Sequence, residues 1–324
     1  MDPHEFLYEV AERLARIVPH DASGWMTLDP DTLLPTGGFE TGVARFMVRE
    51  LWRNERQDGD VNNLVDVVRR KSPVAVFDDL DPSIRAQSAR VQKILGPAGV
   101  RHEMRTLLRS AGSAWGASVL FRETASPRFG LRERAFMEAV ASEIGDGLRR
   151  SLARRPARDL DPFVPGVVAL HPDAQISAAT DDAIKLMRLM RGDATNTLHT
   201  LAVDANAGRA AHARVRLTDG RWLILHGARL IGAPPGSAQT SVTFMPPPAA
   251  ELMSVLVRLH GLTFREREVA AQLAVGTEPE EISRLLKISR FTLRNHVRSV
   301  FAKLHVTSAA QLTALLSSGV PASE

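Results

Sequence analysis

The sequence of 324 residues contains no cysteine and only one tyrosine. Without cysteine there is no disulfide framework, no thiolate zinc site and no cysteine nucleophile. No uninterrupted apolar run approaches about 18 residues, so we expect no membrane-spanning helix. The opening stretch MDPHEFLYEVAERLARI carries Asp and Glu where a signal peptide would be basic. These absences predict a soluble, cytoplasmic protein in a reducing compartment.

Few groups titrate between the pKa values of histidine and lysine, so the isoelectric point overstates how basic the chain is. The formal net charge is only +4, although the isoelectric point is about 9.9. With no cysteine and a single tyrosine, a small positive excess moves the isoelectric point far upward. The location of the charge is therefore more informative than its sum.

The strongest local concentration of positive charge lies within residues 284–303, which hold six basic residues and no acidic one. It overlaps the stretch ISRFTLRNHVRSVFAKL, residues 288–304, in which Arg290, Arg294 and Arg298 recur every four residues. Apolar residues recur there at spacings of three and four: Leu293, Val297, Val300, Phe301 and Leu304. On a helix these two sets predict one basic face and one apolar face.

The pattern along the chain predicts two α+β modules followed by a small helical one. The first module shows paired strands and then a long amphipathic helix near 131–155, and the second shows a strand pair, a helix and an Asp-Gly hairpin near 212–232. A charged, proline-punctuated stretch and a run of three prolines separate the modules. The predicted boundaries are 1–153 for the first module, 154–162 for a linker, 163–246 for the second module, 247–260 for a linker helix and 261–324 for the helical module.

The sequence of the last module predicts four helices, and three of them have a local start signal. Thr263 and Glu266 have the spacing of a capping box, and Pro279 falls in the first turn of a short second helix. Ser289 can cap the basic third helix, and residues 307–316 form a fourth. A short helix, a tight turn and a basic helix together predict a helix-turn-helix. In this motif the basic helix enters the major groove of DNA.

The C-terminal sequence also resembles a known DNA-binding family. The segments LTFREREVAAQLAVG and EEISRLLKISRFTLRNHVRSVFAKLHV are similar, over residues 261–316, to the LuxR-type helix-turn-helix of bacterial transcriptional regulators. The resemblance implies that Arg294 stands where the family has its base-contacting Lys, and that Asn295 and Arg298 occupy the other groove-facing positions. A wider set is expected to lie near the phosphates or to add positive charge: Lys287, Ser289, Arg290, Thr292 and Lys303. His296 is expected to pack or to hydrogen-bond within the helix, not to bind a metal.

Three departures from the family pattern bear on these expectations. Glu278, Pro279 and Glu280 replace the usual Ser-Asn-Lys at the start of the second helix, which removes a good cap and puts acid close to a phosphate path. His305 replaces the usual Gly, and Ala309 stands where the family usually has Arg. The first departure is expected to weaken or redirect DNA binding, whereas the other two affect packing.

The two upstream modules resemble sensor folds. The segments GWMTLDPDTLLPTGGF and RHEMRTLLRSAGSAWGASVLFRE, followed by a long helix, are similar to a GAF domain, and residues 163–246 are similar to a PAS domain. Both folds enclose pockets for small molecules and mediate dimers in other proteins. The resulting fold class is α+β and multidomain: GAF-like and PAS-like mixed sheets with helices, followed by an all-α, four-helix LuxR-type helix-turn-helix domain.

The upstream modules do not identify a ligand. His171, His199, His212 and His226 could in principle bind haem, but scattered polar histidines on strands and loops are the better interpretation. No cofactor and no metal site is identifiable, and a small-molecule ligand in either module stays open. The sequence shows no catalytic constellation, so we expect no enzymatic activity.

These features predict a bacterial DNA-binding transcriptional regulator in which the GAF-like and PAS-like modules sense a small molecule or partner and gate the helix-turn-helix. The expected partners are double-stranded DNA and a second copy in a homodimer; RNA polymerase and an effector of unknown identity stay open, and no membrane is expected. One alternative is a sigma-factor-like subunit that binds DNA only with RNA polymerase. The other is an enzyme regulated by GAF and PAS modules.

Overall fold

The computed structural model describes residues 1–58, 60–153, 162–190, 192, 194–232, 234, 237 and 239–318. The predicted linker 154–162 lies outside the described residues except for Pro162. The described part of the chain forms two five-stranded sheets, each flanked by helices, and a helical region after them. The expected α+β fold is thereby confirmed.

The first sheet is antiparallel and has the order β2-β1-β5-β4-β3. Its strands are β1 Ala22–Leu28, β2 Pro35–Thr41, β3 Val74–Val76, β4 Val100–Ser110 and β5 Ser113–Glu123. The helices around it are α1 Pro3–Leu14, α2 Ala44–Arg53, α3 Leu64–Val67, α4 Pro82–Gln87 and α5 Leu131–Leu152. A π-helical turn, Asn54–Asp58, continues α2.

Strands β4 and β5 form the hairpin that the alternation in residues 102–123 predicts. Met104 and Leu108 face the apolar layer that α5 covers, and Leu107 contributes to a second apolar cluster with Trp52. Arg105, which follows Met104 in the strand, is buried as well. Both faces of this hairpin are therefore inside the protein, although β4 carries several charged residues.

The second sheet repeats the strand order of the first, as β7-β6-β10-β9-β8, and its pairings are also antiparallel. The sheets were expected to be mixed, and the pairings of their named strands are antiparallel. Its strands are β6 Gly166–Leu170, β7 Ile176–Ala179, β8 His212–Arg216, β9 Trp222–Arg229 and β10 Thr240–Met245, with helices α6 Asp181–Leu189 and α7 Ala194–Asn206. Asp219 and Gly220 turn the chain between β8 and β9, and Gly220 has a φ of 87° that glycine tolerates readily, so the Asp-Gly hairpin is confirmed.

Five helices follow the second sheet: α8 Ala249–Leu259, α9 Phe264–Ala274, α10 Pro279–Leu286, α11 Arg290–Leu304 and α12 Ala309–Ser318. The last four are the predicted helices of the C-terminal module. Thr263 and Glu266 form the expected capping box at the start of α9, and Gly276, with a φ of 77°, follows its end. Local capping chemistry thus sets these boundaries.

Helix α8 packs into the protein core along its length. Leu252, Val255, Leu256 and Leu259 are buried in one apolar cluster that also includes residues of α1, α5 and α12. Arg149 of α5 also donates a hydrogen bond to the carbonyl of Leu259 at 2.6 Å. The helix predicted as a linker therefore joins the first module to the C-terminal helices. Among the described helices, none is both long and apolar enough to cross a membrane.

Candidate nucleic-acid interface

The turn between α10 and α11 spans only Lys287, Ile288 and Ser289. Lys287 adopts the left-handed conformation, with a φ of 52°, and Ile288 N–H donates to the Ser283 carbonyl at 3.0 Å. Ser289 Oγ accepts a hydrogen bond from the backbone N–H of Thr292 at 3.0 Å, which is the predicted cap. The two helices thus meet through a short turn that is held by backbone and side-chain hydrogen bonds, the arrangement of a helix-turn-helix.

One face of α11 is turned to solvent. Arg294, Asn295 and Arg298 are exposed on it, together with Phe291, whose side chain is 71% exposed. The opposite side of the helix buries Leu293, Val300 and Leu304 and packs on α9. The three residues expected to contact bases therefore share one accessible face. Phe291 belongs to the same face, although sequence reasoning missed it; its spacing of three, four and seven residues from the other members was the available signal.

The phosphate-contact candidates around the turn are also accessible. Lys287, Ser289 and Arg290 are exposed, and Thr292 is half-buried. Arg290 Nη2 pairs with Glu280 Oε1 at 2.7 Å, and both side chains are largely exposed. An exposed pair of this kind contributes about 0–1 kcal/mol. The acid introduced by the Glu278-Pro279-Glu280 departure therefore partly neutralises one guanidinium of the surface.

Lys303 occupies a different place from the other candidates. Its Nζ pairs with Glu266 Oε2 at 2.7 Å and donates to the Gly261 carbonyl at 3.1 Å, and its side chain is 33% exposed. Ser299 Oγ donates to the other Glu266 oxygen at 2.5 Å. Burial alone would raise the pKa of Glu266, but the hydrogen bonds from Lys303, Ser299 and Thr263 lower it to about 2. Lys303 and Glu266 thus tie α11 to α9, beside the buried stripe.

The other two departures lie at the ends of helices, and Ala309 is the first residue of α12. His305 follows α11 with a φ of 56°, the left-handed conformation that glycine adopts without strain, which explains why its family counterpart is Gly. The His305 ring meets the ring of His260 edge to face at 5.9 Å. Burial, with His305 nearby, lowers the pKa of His260 to about 4. Glu278, at the N-cap of α10, makes no side-chain capping bond, as expected.

A cavity of about 60 Å³ opens between the first sheet and α2. Its apolar lining comes from β1, β2, α2 and β5: Met26, Pro35, Ala44, Val48, Leu51, Trp52, Val119 and Phe121. Asn196 and Thr197, at the start of α7, close it from the side of the second sheet. Asn196 Nδ2 donates to Glu40 Oε1 at 2.9 Å across this junction. The cavity is therefore bounded by both sheet-containing parts of the chain.

Two polar features point into or border this cavity. Thr197 Oγ1 is buried and has no hydrogen-bond partner within the described part of the chain. Arg105 lies in a buried charge network, with Nη1 2.6 Å from Glu55 Oε2 and Nε 2.7 Å from Glu103 Oε1. Burial would lower the pKa of Arg105, but the carboxylates of Glu103 and Glu55 raise it instead. The cavity thus offers an apolar wall, a fixed ion pair and one unsatisfied hydroxyl.

Ion pairs also join the two sheet-containing parts of the chain outside the cavity. Arg56 Nη2 lies 2.5 Å from Asp204 Oδ2, and Asp204 is fully buried. Asp31 pairs with Arg214 of β8 at 2.5 Å and also with Arg258 of α8. The first sheet, the second sheet and the helix that precedes the C-terminal module therefore meet through charged contacts.

The histidines considered as haem ligands do not form a common site. His199 is buried, His171 and His212 are half-buried, and His226 is exposed. Over the described residues, no three histidine or acidic side chains come together as a metal-binding group.

Comparison with protein families matches two parts of the chain. Residues 260–316 match the model for bacterial regulatory proteins of the luxR family, and residues 2–148 match the GAF domain. The search of curated proteins returned no match.

Comparison with solved structures gives matches of low similarity. SdiA from Escherichia coli is 12% identical, and the match covers 100% of this chain and 93% of SdiA with a TM-score of 0.34. A complex of VqmA from Vibrio cholerae with ligand and DNA is 18% identical, covering 48% of this chain and 82% of VqmA with a TM-score of 0.25. The GAF domain/HD domain protein from Geobacter sulfurreducens is 15% identical, covering 46% of this chain and 94% of that one with a TM-score of 0.34. Similarities this low add nothing to the domain matches.

The domain matches and the exposed basic helix define a DNA-binding regulatory protein that carries a sensor domain. Its DNA-binding domain is of the luxR family, at residues 260–316, and its sensor is a GAF domain, at residues 2–148. The resemblances to the LuxR-type helix-turn-helix and to GAF domains are confirmed.

Proposed function

We propose that this protein is a ligand-responsive transcriptional regulator that binds double-stranded DNA through α11. The observation that carries the proposal is the exposed face formed by Arg294, Asn295 and Arg298, directly opposite the buried side of the helix. A recognition helix needs this division, because one side must hold the helix on its domain while the other enters the major groove. The match of residues 260–316 to the luxR family supports the same role.

The chemistry of each side chain suggests its partner on DNA. Arg294 and Arg298 suit the guanine edge, where a guanidinium donates two hydrogen bonds, and Asn295 suits adenine. Lys287 and Arg290, with the hydroxyls of Ser289 and Thr292, suit the phosphates, which fix register without carrying sequence information. For Lys303 we propose a structural role, because its ammonium is already paired with Glu266.

The cavity of the GAF domain is the proposed sensor site. Its apolar wall suits the body of a small apolar molecule, and the unsatisfied Thr197 hydroxyl suits one hydrogen-bonding group on it. Because Asn196 and Thr197 belong to α7, which packs on the second sheet, a bound molecule would contact both sheet-containing parts of the chain. We propose that the second sheet, residues 163–246, is a PAS-like module that transmits occupancy through the Arg214 and Asp31 contacts to α8.

The protein is proposed to act as a homodimer in which α12 contributes to pairing. Two copies of α11 would then contact two half-sites about 34–36 Å apart. Recruitment of RNA polymerase would follow from binding beside a promoter. The homodimer proposal predicts an operator with two related half-sites.

Selection of binding sequences from random duplex DNA tests the function. Full-length protein should enrich a motif with two half-sites, whereas an Arg294→Ala/Arg298→Ala variant should enrich none. A matched control, Arg13→Ala/Arg16→Ala, removes the same charge from two exposed arginines, one at the end of α1 and one in the turn after it, and should behave as the unmodified protein. A third variant, Ala44→Phe, fills the cavity and should change the affinity for the selected operator if occupancy is coupled to DNA binding. Enrichment of the same motif by the Arg294→Ala/Arg298→Ala variant would contradict the proposal.

A further inference from the structure

Phe291 is an apolar side chain on an otherwise basic and polar face. It is the second residue of α11 and is 71% exposed; Arg290 precedes it, and Arg294 follows three residues later. Neither the helix-turn-helix core nor the turn before α11 covers its ring. Its neighbours on the exposed face are those proposed to contact bases, so Phe291 would be carried to the same surface of the DNA.

The geometry of the helix puts Phe291 in the middle of that face. At about 100° per residue, Phe291, Arg294, Asn295 and Arg298 fall within a sector of roughly 100°, with Phe291 between Arg298 and Asn295. The N-terminal residues of a recognition helix are those that contact base edges. Phe291 lies in the first turn of α11, so it meets this condition.

The major groove offers one apolar group, the 5-methyl of thymine, and it occurs only at A·T base pairs. The phenyl ring has no donor or acceptor, so against guanine, adenine or cytosine edges it would cover polar atoms without replacing their hydrogen bonds. We infer that Phe291 contacts the methyl group of a thymine in each half-site and selects for it. A helix rises about 1.5 Å per residue, so Phe291 and Arg294 are about 4.5 Å apart along the axis. This distance is close to one base-pair step of about 3.4 Å, which puts the thymine within one or two base pairs of the base that Arg294 contacts.

Replacement of thymine by deoxyuridine removes only the methyl group and tests this inference, which rests on the proposed function. Each thymine of the selected operator is replaced singly, and the affinities of the full-length protein and of Phe291→Ala are measured by fluorescence anisotropy. For unmodified protein we expect about a fourfold loss at one thymine in each half-site, the loss of one buried methyl group. Phe291→Ala should bind the thymine operator more weakly by at least that factor and should not respond to uridine at that position.

The controls separate this inference from the proposed function. Phe46→Ala removes a phenyl ring of the first module that is 88% exposed, and this variant should keep the full response to uridine. If Phe291→Ala keeps the same response to uridine at every thymine, the inference is overturned while DNA binding stands. If Phe291→Ala binds the operator as tightly as unmodified protein but no longer regulates a reporter promoter, the ring serves a protein contact and the inference is likewise overturned. If the unmodified protein selects no duplex, the proposed function itself has failed.

Discussion

Arg214 on β8 holds the carboxylate of Asp29, which follows β1, with two side-chain hydrogen bonds. Arg214 Nε lies 2.8 Å from Asp29 Oδ2 and Nη2 lies 2.6 Å from Oδ1, although the residues are 185 positions apart. Both are buried. Burial would raise the pKa of Asp29, but the hydrogen bonds and charge of Arg214 lower it. This pair is a fixed, charge-assisted joint between the two sheets.

Replacement of Arg214 tests the importance of this joint. Arg214→Met leaves the Asp29 carboxylate buried without its cation, so we expect a loss of about 3–5 kcal/mol in the free energy of unfolding. Arg214→Lys restores a charge but not the paired geometry and should lose less. Urea denaturation measures both, and Arg13→Ala, which breaks an exposed ion pair on α1, serves as the control with a change below about 1 kcal/mol. An unchanged midpoint for Arg214→Met would contradict the assigned role.

Removal of the unsatisfied Thr197 hydroxyl is expected to increase the stability of the protein. Thr197→Val removes a buried oxygen that has no partner among the described residues, so the ligand-free protein should gain about 1 kcal/mol of stability. Thr200→Val, one turn later on α7, removes a hydroxyl that donates to the Asn196 carbonyl at 2.7 Å and should lose about 1 kcal/mol. Thermal unfolding of both variants is the measurement. A loss of stability in Thr197→Val would show that the hydroxyl has a partner.

The acid dependence of stability follows from Glu266. Its pKa is lowered from 4.5 to about 2 in the folded protein, so its contribution is present above 4.5 and is lost as the pH falls toward 2. At about 1.4 kcal/mol per pKa unit the contribution is at most about 3 kcal/mol. Glu266→Gln should therefore be less stable at pH 7, and the difference from the unmodified protein should shrink between pH 5 and pH 3. A difference that does not change with pH would contradict the pKa shift.

Lys303, the partner of Glu266, separates a structural role from phosphate contact. Lys303→Met should reduce the free energy of unfolding by roughly 1–3 kcal/mol, because Glu266 loses a charged donor. Its operator sequence preference, measured by the same selection, should not change. If the stability is unchanged and the salt dependence of DNA binding becomes shallower by about one phosphate contact, Lys303 belongs to the DNA surface instead.

The four C-terminal helices, and much of the helix-turn-helix site, could be predicted from local sequence signals. Ser289 caps α11 and Thr263 caps α9 through atoms three residues away, so a short stretch of sequence contains the whole interaction. The joint between Asp29 and Arg214 could not be predicted, because no local pattern links residues that meet only after both sheets have formed. For the same reason the burial of α8 escaped prediction.

His305 could be predicted only in part from the sequence. The departure from Gly was visible in the sequence, but the φ of 56° that makes it costly is a structural observation. His305→Gly should raise the free energy of unfolding by about 1 kcal/mol, since glycine adopts this conformation without the steric cost of a side chain. Thermal unfolding measures the change. A destabilised variant would mean that the contact between the His305 and His260 rings outweighs the backbone strain.

The central claim is that the exposed face of α11 binds DNA, and its most direct measurement is the affinity of full-length protein for the selected operator at increasing salt. We expect the logarithm of the affinity to fall linearly with the logarithm of the salt concentration, because phosphate contacts release counterions. Arg294→Ala/Arg298→Ala should bind more weakly by about 2–6 kcal/mol, the sum of two specific base contacts. Arg13→Ala/Arg16→Ala should bind as the unmodified protein does. Equal affinities for unmodified protein and Arg294→Ala/Arg298→Ala at every salt concentration would contradict the account.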